Sequence, residues 1–258
     1  MKKINLILLM LFAFSISAQS VVEATYLDIP ASDINRFAEL HKQITDMAQG
    51  EERTHEQQWV YRHWYGSGAS VVIYDVYPSA EAAVKDDFFG ALGKNVNKLS
   101  EDDQKKMRDV IDEWWSHFDG HWDELRNFDG ENNYAAKENV DWDIPFVWVL
   151  GAYNTKGQNP TEMVNAFMDW TIKPGVSEGN ILGGGATTHY KGSGYEAEFF
   201  SAYSDINEFS KSISEAGSDN SDARTKFWSL VDGGHEDQIY IHVGHMIDGK
   251  FNLAGKDN

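Results

Sequence analysis

Short apolar runs alternate along this chain with stretches whose apolar residues recur at spacings of three and four, which predicts strands interleaved with amphipathic helices. Residues 21–29 form a β-branched run closed by Pro30 and read as a strand. Ser32 offers an N-cap, and Ile34, Phe37, Leu40, His41, Ile44 and Met47 then follow at helical spacing up to Gly50. Residues 59–64 and 69–77 flank Gly66, Ser67 and Gly68 and read as a hairpin. Residues 80–92 read as a helix. Ser100 and Asp103 form a capping box ahead of a third helix carrying Met107, Val110, Ile111, Trp114, Trp115 and Phe118. Adjacent tryptophans cannot both enter a core, and the spacing of Ile111, Trp115 and Phe118 selects Trp115 as the buried one.

After a polar linker over 129–143 the same pattern returns. Residues 146–153 read as a strand and 160–170 as a helix with Met163, Phe167 and Trp170 on one face. Residues 181–203 read as a hairpin, a helix follows from Asp205 to about 213, another spans 221–231, and 238–246 read as a closing strand. The two hairpins are copies. His63, Trp64, Tyr65, Gly66, Ser67, Gly68 recurs as His189, Tyr190, Lys191, Gly192, Ser193, Gly194, an offset of 126 residues. Trp115, Ser116, Asp119, Gly120 likewise recurs as Trp228, Ser229, Asp232, Gly233, followed in each half by His-x-Asp at His121 and Asp123 or His235 and Asp237. Each half therefore runs strand, helix, two strands, helix, extra helix, strand, the ferredoxin-like order. The predicted class is α+β, with residues 19–140 and 141–258 as two repeats.

Two ferredoxin-like halves in one chain resemble the dimeric α+β-barrel superfamily in its fused form. The resemblance rests on element order and repetition over nearly all of residues 19–258. It implies antiparallel sheets facing each other across a central barrel, helices outside, and a ligand site in the barrel or between sheet and helix. Proteins of this architecture include cofactor-free monooxygenases, small-molecule isomerases, haem enzymes such as chlorite dismutases, and stress proteins, so the fold does not choose a reaction. The stretch 124–128, where the first closing strand belongs, carries Glu124, Arg126 and Asn127, is weakly strand-like, and predicts an incomplete first half.

Residues 1–18 combine Lys2 and Lys3, an apolar run and the small residues Ser15, Ser17 and Ala18, the pattern of a cleaved secretory signal. That run is too short to span a bilayer, and with no cysteine for a lipid anchor or a disulfide the expectation is a periplasmic or secreted protein. The net charge of −19 becomes −21 once those two lysines are removed, which argues against nucleic acid or an anionic membrane as partner. Fused repeats are compatible with a monomer.

A two-residue turn in each hairpin pairs His63 with Ser70, Tyr61 with Val72 and Trp59 with Tyr74, and in the copy His189 with Glu196, Thr187 with Glu198 and Gly185 with Phe200. Ala186, Ala197, Phe199, Ser201 and Tyr203 then face the helices, while His189, Glu196, Glu198, Tyr240 and His242 share the interior. A histidine opposite a glutamate suits proton transfer, so His189 and Glu196 are the candidate catalytic pair. Trp59, Tyr61, His63, Glu198, Tyr240 and His242 are the candidate ligand-binding residues. A metal site of His189, Glu196, Glu198 and His242 has no recognised spacing, and His242 and His245 are expected on opposite strand faces, so neither a metal nor any other cofactor is assigned. No serine lies in a nucleophile elbow, and the glycine run 183–185 precedes a strand and makes no phosphate cradle. The expected function is binding of a small organic molecule in an aromatic cavity. The alternatives are an acid–base enzyme of the same fold and a non-catalytic extracellular interaction protein.

Overall fold

The structure, a computed structural model, describes residues 19–157, 159–219 and 221–255, so the signal segment read at 1–18 lies outside the described residues. In the first half, β1 (Ser20–Leu27), α1 (Ile34–Met47), β2 (Gln57–Gly66), β3 (Val71–Tyr77), α2 (Ala80–Lys85), α3 (Phe88–Val96), α4 (Glu101–Trp115) and β4 (Trp122–Phe128) follow in order. The linker contributes a short β5 (Tyr134–Ala136). The second half supplies β6 (Val147–Thr155), α5 (Pro160–Phe167), a π turn, α6 (Lys173–Glu178), β7 (Gly183–Lys191), β8 (Ala197–Tyr203), α7 (Ile206–Ser218), α8 (Asp222–Leu230) and β9 (Val231–Ile247), after which β10 (Lys250–Leu253) folds back on β9.

The strands run β2-β3-β1-β4 in one half and β7-β8-β6-β9 in the other. The fourth strand of each half pairs with the second strand of the other, β4 with β7 and β9 with β2, which closes an antiparallel barrel of eight strands. Closure leaves no unpaired edge among those eight, so the fused chain needs no second copy to complete its sheet. Both hairpins adopt the register derived above: Trp59 opposes Tyr74 and Tyr61 opposes Val72, and Thr187 opposes Glu198 and Gly185 opposes Phe200.

With the register set, alternation sorts the side chains. Outward residues of the first half join α1, α3 and α4 around Phe37, Leu40, Ile44, Val60, Ile73 and Trp114. Those of the second join α5 and α8 around Met163, Ala186, Phe199, Tyr203 and Phe227. The barrel interior is a third cluster, rich in aromatic rings, that includes Tyr26, Tyr61, Tyr74, Phe146 and Tyr240.

Several local expectations are corrected. The first half is complete: 124–128 belongs to β4, hydrogen-bonded to β1 and to β7. Its strand propensity is low because two of its interior-facing positions carry charges, which the tertiary fold pairs. On α4 the buried tryptophan is Trp114, 4% exposed, whereas Trp115 is 48% exposed. The inward stripe is Met107, Val110, Ile111 and Trp114. The helix tightens into a 3-10 turn at Ser116–Phe118, which brings Phe118 to 4.6 Å from Trp114 and breaks the count from Trp115. The expected helix over 80–92 is two helices, separated where Asp86 and Asp87 leave helical conformation. Helix α1 begins after Asp33, with no side-chain cap from Ser32.

Candidate functional site

A cavity of about 370 Å³ occupies one end of the barrel interior. Strand β2 presents Trp59 and Tyr61 to it, β6 presents Trp148, and β8 presents Glu198 and Phe200, every second residue of each strand. Tyr61, Trp148 and Phe200 form one stack, with centroids 4.6 Å and 4.7 Å apart and ring planes within 23° and 16°. The connection from β5 to β6 adds Trp142 and Phe146, which meet Trp59 edge-on at 5.8 and 6.5 Å. The other end of the interior is filled by Tyr26, Ala69 and Tyr240. Within this mainly apolar wall two donors are buried without a hydrogen-bond partner among the described residues, Trp148 Nε1 and Tyr74 Oη. Burial pushes the Tyr74 phenol well above its ordinary pKa, so it keeps its proton and remains a donor.

Glu198, at the polar end of the cavity, belongs to an ion triad centred on Arg126. The Arg126 side chain is fully enclosed and lies 3.0 Å from Glu124 through Nη1 and 3.0 Å from Glu198 through Nε. Its Nε also donates to Thr187 Oγ1 at 2.7 Å and its Nη2 to the Tyr195 carbonyl at 3.1 Å. Two carboxylates share one guanidinium, so the triad holds a net negative charge away from water. Burial raises the Glu198 pKa; Arg126 opposes the rise and Glu124 adds to it. Hairpin glycines make room: a Cβ on Gly194 would sit 2.2 Å from the Glu124 carboxylate, and one on Gly68 would sit 2.4 Å from the Tyr240 hydroxyl.

The triad was not foreseen in the sequence, although a signal was present. Matching the repeated His-x-Asp motifs places Glu124 and Arg126 on Gln238 and Tyr240, both interior residues of β9. In the second half the same places hold a neutral pair, Tyr240 Oη donating to Gln238 Oε1 at 2.6 Å.

The remaining candidates separate. Trp59, Tyr61 and Glu198 line the cavity, whereas His63, His189, Glu196, Tyr240 and His242 do not. The proposed His189–Glu196 couple does not form. Their backbones pair, but the Glu196 carboxylate accepts from Thr155 N and Oγ1 at 2.5 and 2.7 Å, and the His189 ring lies 3.2 Å from the Gly192 carbonyl. Thr155 offers two donors to the carboxylate where the ring would offer one, and Glu196 lies just before β8, outside the pleat that would fix its direction. His63 packs edge-on against Tyr240 at 5.5 Å. His242 stacks on Phe146 at 4.4 Å, and its pKa falls to about 3, chiefly through burial, so it is neutral.

His242 and His245 share a strand face, correcting the expected opposition. A β-bulge skips Val243 in the β2 pairing, so that Tyr61 opposes His242 and Val60 opposes Gly244, and the two rings stack at 5.3 Å. His189, Glu196, Glu198 and His242 do not converge, and no group of three candidate ligands among the described residues could hold a metal. Neither histidine nor cysteine lines the cavity. His121 and His235 lie 3.4 and 3.0 Å from Asp123 and Asp237, and His121 also contacts the Phe118 carbonyl.

No protein-family model matches this sequence, and no curated protein matches it. Solved structures do match. An anthrone oxidase-like protein superposes with a TM-score of 0.58 at 10% identity, covering 93% of this chain and 97% of its own. A candidate monooxygenase of Fusobacterium nucleatum subsp. nucleatum gives 0.57 at 11% identity, covering 93% and 99%. One of Lactobacillus acidophilus NCFM gives 0.55 at 8%, covering 92% and 97%. At these identities the likeness is one of fold, and the fold is the fused dimeric α+β barrel.

Proposed function

We propose that the protein binds a flat, mainly apolar organic molecule carrying a carbonyl or similar oxygen acceptor, in the barrel cavity. The observation that carries this reading is the pair of buried, unpartnered donors Trp148 Nε1 and Tyr74 Oη in an aromatic wall. A buried donor without an acceptor costs on the order of 1–3 kcal/mol, a cost that a ligand oxygen relieves. The cavity volume of about 370 Å³ is in the range of small-molecule sites. Anthrone, a flat tricyclic ketone that also appears in the name of a protein with this fold, is a suitable probe.

Titration followed by tryptophan fluorescence is expected to show anthrone binding, with 9,10-dihydroanthracene, the same skeleton without the oxygen, binding more weakly. Trp148→Phe, which keeps an aromatic ring and removes the donor, should weaken anthrone by about tenfold and leave the hydrocarbon unchanged. Equal effects on both ligands, or no binding of either, defeat the reading.

Glu198 favours a second reading, acid–base turnover of the bound molecule. Its carboxylate lines the cavity and its pKa is raised by burial, so it is a better base than an exposed glutamate. If Glu198 takes a proton from the ligand, the protein accelerates exchange of the anthrone methylene protons with D2O, followed by NMR. Glu198→Gln should abolish that acceleration while anthrone still binds. Exchange that survives the substitution removes Glu198 from the role.

A further inference from the structure

The first half holds a second cavity, of about 380 Å³, between the outer face of the sheet and the helices. Glu23 of β1 and Asp75 of β3 are direct cross-strand partners there, and both line the cavity. Opposed carboxylates on a sheet destabilise it unless something lies between them. Among the described residues neither has a lysine or arginine ion-pair partner. Arg53, on the α1–β2 connection, lies nearby but is bound to both oxygens of Asp86 at 3.1 and 3.0 Å. The second half shows that the fold does not require the charges. Val149 opposes Ser201 at the equivalent place, two residues in from Val147 and Tyr203 as Glu23 and Asp75 are from Val21 and Tyr77. Val149, Phe167 and Tyr203 pack there as apolar core.

The polar groups around the carboxylates are held in one direction. The Trp114 indole, a donor only, donates to His41 Nδ1 at 3.2 Å, so the other ring nitrogen, Nε2, carries the hydrogen and donates to Gln58 Oε1 at 2.7 Å. Gln58 Nε2 then donates to Asp75 at 2.8 Å. The chain delivers a donor to Asp75, while Glu23, which lines the cavity, is met by the Tyr77 hydroxyl. The opposite wall is aromatic: Trp115 stacks on Phe118 at 5.3 Å and Phe88 on Trp114 at 5.6 Å, all four of them lining residues.

We propose that this cavity is a second binding site, specific for an organic cation whose ammonium group sits at Glu23 and Asp75 and whose apolar body lies on the rings of Trp114, Trp115 and Phe118. Carboxylates supply the charge, and ring faces supply cation–π attraction and apolar contact. The site is separate from the barrel cavity and does not depend on what binds there. The titratable and charged groups around Glu23 in the cavity are Asp75 and Tyr77 from β3, Asp123 from β4, His121 just before it, Asp86 and Asp87 after α2, His41 from α1, and Arg53 and His55 from the α1–β2 connection. Burial first, then Asp75, Asp123 and Asp86, lift its pKa to about 7. The cation therefore displaces a proton from Glu23 at pH 6 and meets the ionised Glu23 carboxylate at pH 8.

The probe is 2-phenylethylammonium, cationic throughout that range, with 2-phenylethanol as its uncharged counterpart, both measured by isothermal titration calorimetry on the full chain. The cation should bind about tenfold more tightly at pH 8 than at pH 6, the ratio of ionised carboxylate that a pKa of about 7 gives. At pH 8 Glu23→Gln and Asp75→Asn should each weaken it by at least about tenfold, the scale of one lost charge contact. Glu23→Gln should also remove the pH dependence with the thermal transition retained. Trp148→Phe, in the barrel cavity, should change nothing. Equal binding of the alcohol, no binding of the cation between pH 6 and 8, an affinity in the native protein that does not vary with pH, or a pH dependence retained in Glu23→Gln overturns the proposal.

Discussion

Replacing Arg126 by methionine is expected to destabilise the protein by about 3–5 kcal/mol at pH 7.5, because it removes the only cation among the described residues that Glu124 and Glu198 contact. The methionine approximates the volume, so the loss comes mainly from two buried carboxylates facing each other without a partner. One of them must then take up a proton on folding. A carboxylate whose pKa is raised in the folded state binds protons more tightly there than in the unfolded chain, so the variant regains stability as the pH falls. Urea denaturation at pH 7.5 and pH 5.5 measures both effects. Adding Glu124→Gln and Glu198→Gln should restore most of the loss, since replacing a whole buried ion cluster by neutral groups is often close to neutral in energy. A deficit under about 1 kcal/mol that does not vary with pH would show that the triad is not desolvated as the structure has it.

Trp114→Ala should cost a similar amount, about 3–5 kcal/mol, by opening a cavity where α4 meets α1 and α3. Trp114 is 4% exposed, lies 5.6 Å from Phe88 and 4.6 Å from Phe118, and donates to His41 at Nδ1. His41 is neutral at any ordinary pH, its pKa lowered to about 4 by burial, so losing that donor leaves an unpaired acceptor in the core. Trp115→Ala should change the denaturation midpoint little, because half of that side chain is in water. Equal losses for the two, measured by denaturant unfolding, would mean that the 3-10 turn does not set the helix phase.

By itself the sequence determined the duplication, the order of strands and helices, and the two hairpin registers. Those are local properties: glycines that turn the chain, an alternation of period two, and a motif repeated at an offset of 126 residues. It also determined which faces of β2, β7 and β8 enter the barrel, and hence Trp59, Tyr61 and Glu198 as residues of its interior. Only the tertiary structure decided what those residues meet. Strand β4 read as a weak strand because Glu124 and Arg126 are costly to bury alone, and their cancellation depends on Glu198, 72 residues beyond Arg126. Strand β9 placed His245 beside His242 through a bulge at Gly244, where a glycine allows the shift but does not by itself require it. Glu196 took Thr155 in preference to His189, since a side chain chooses among all the donors that folding brings near it. Period and turn chemistry act within a few residues, whereas charge pairing, bulges and side-chain partners are settled by strands that meet only when the barrel closes.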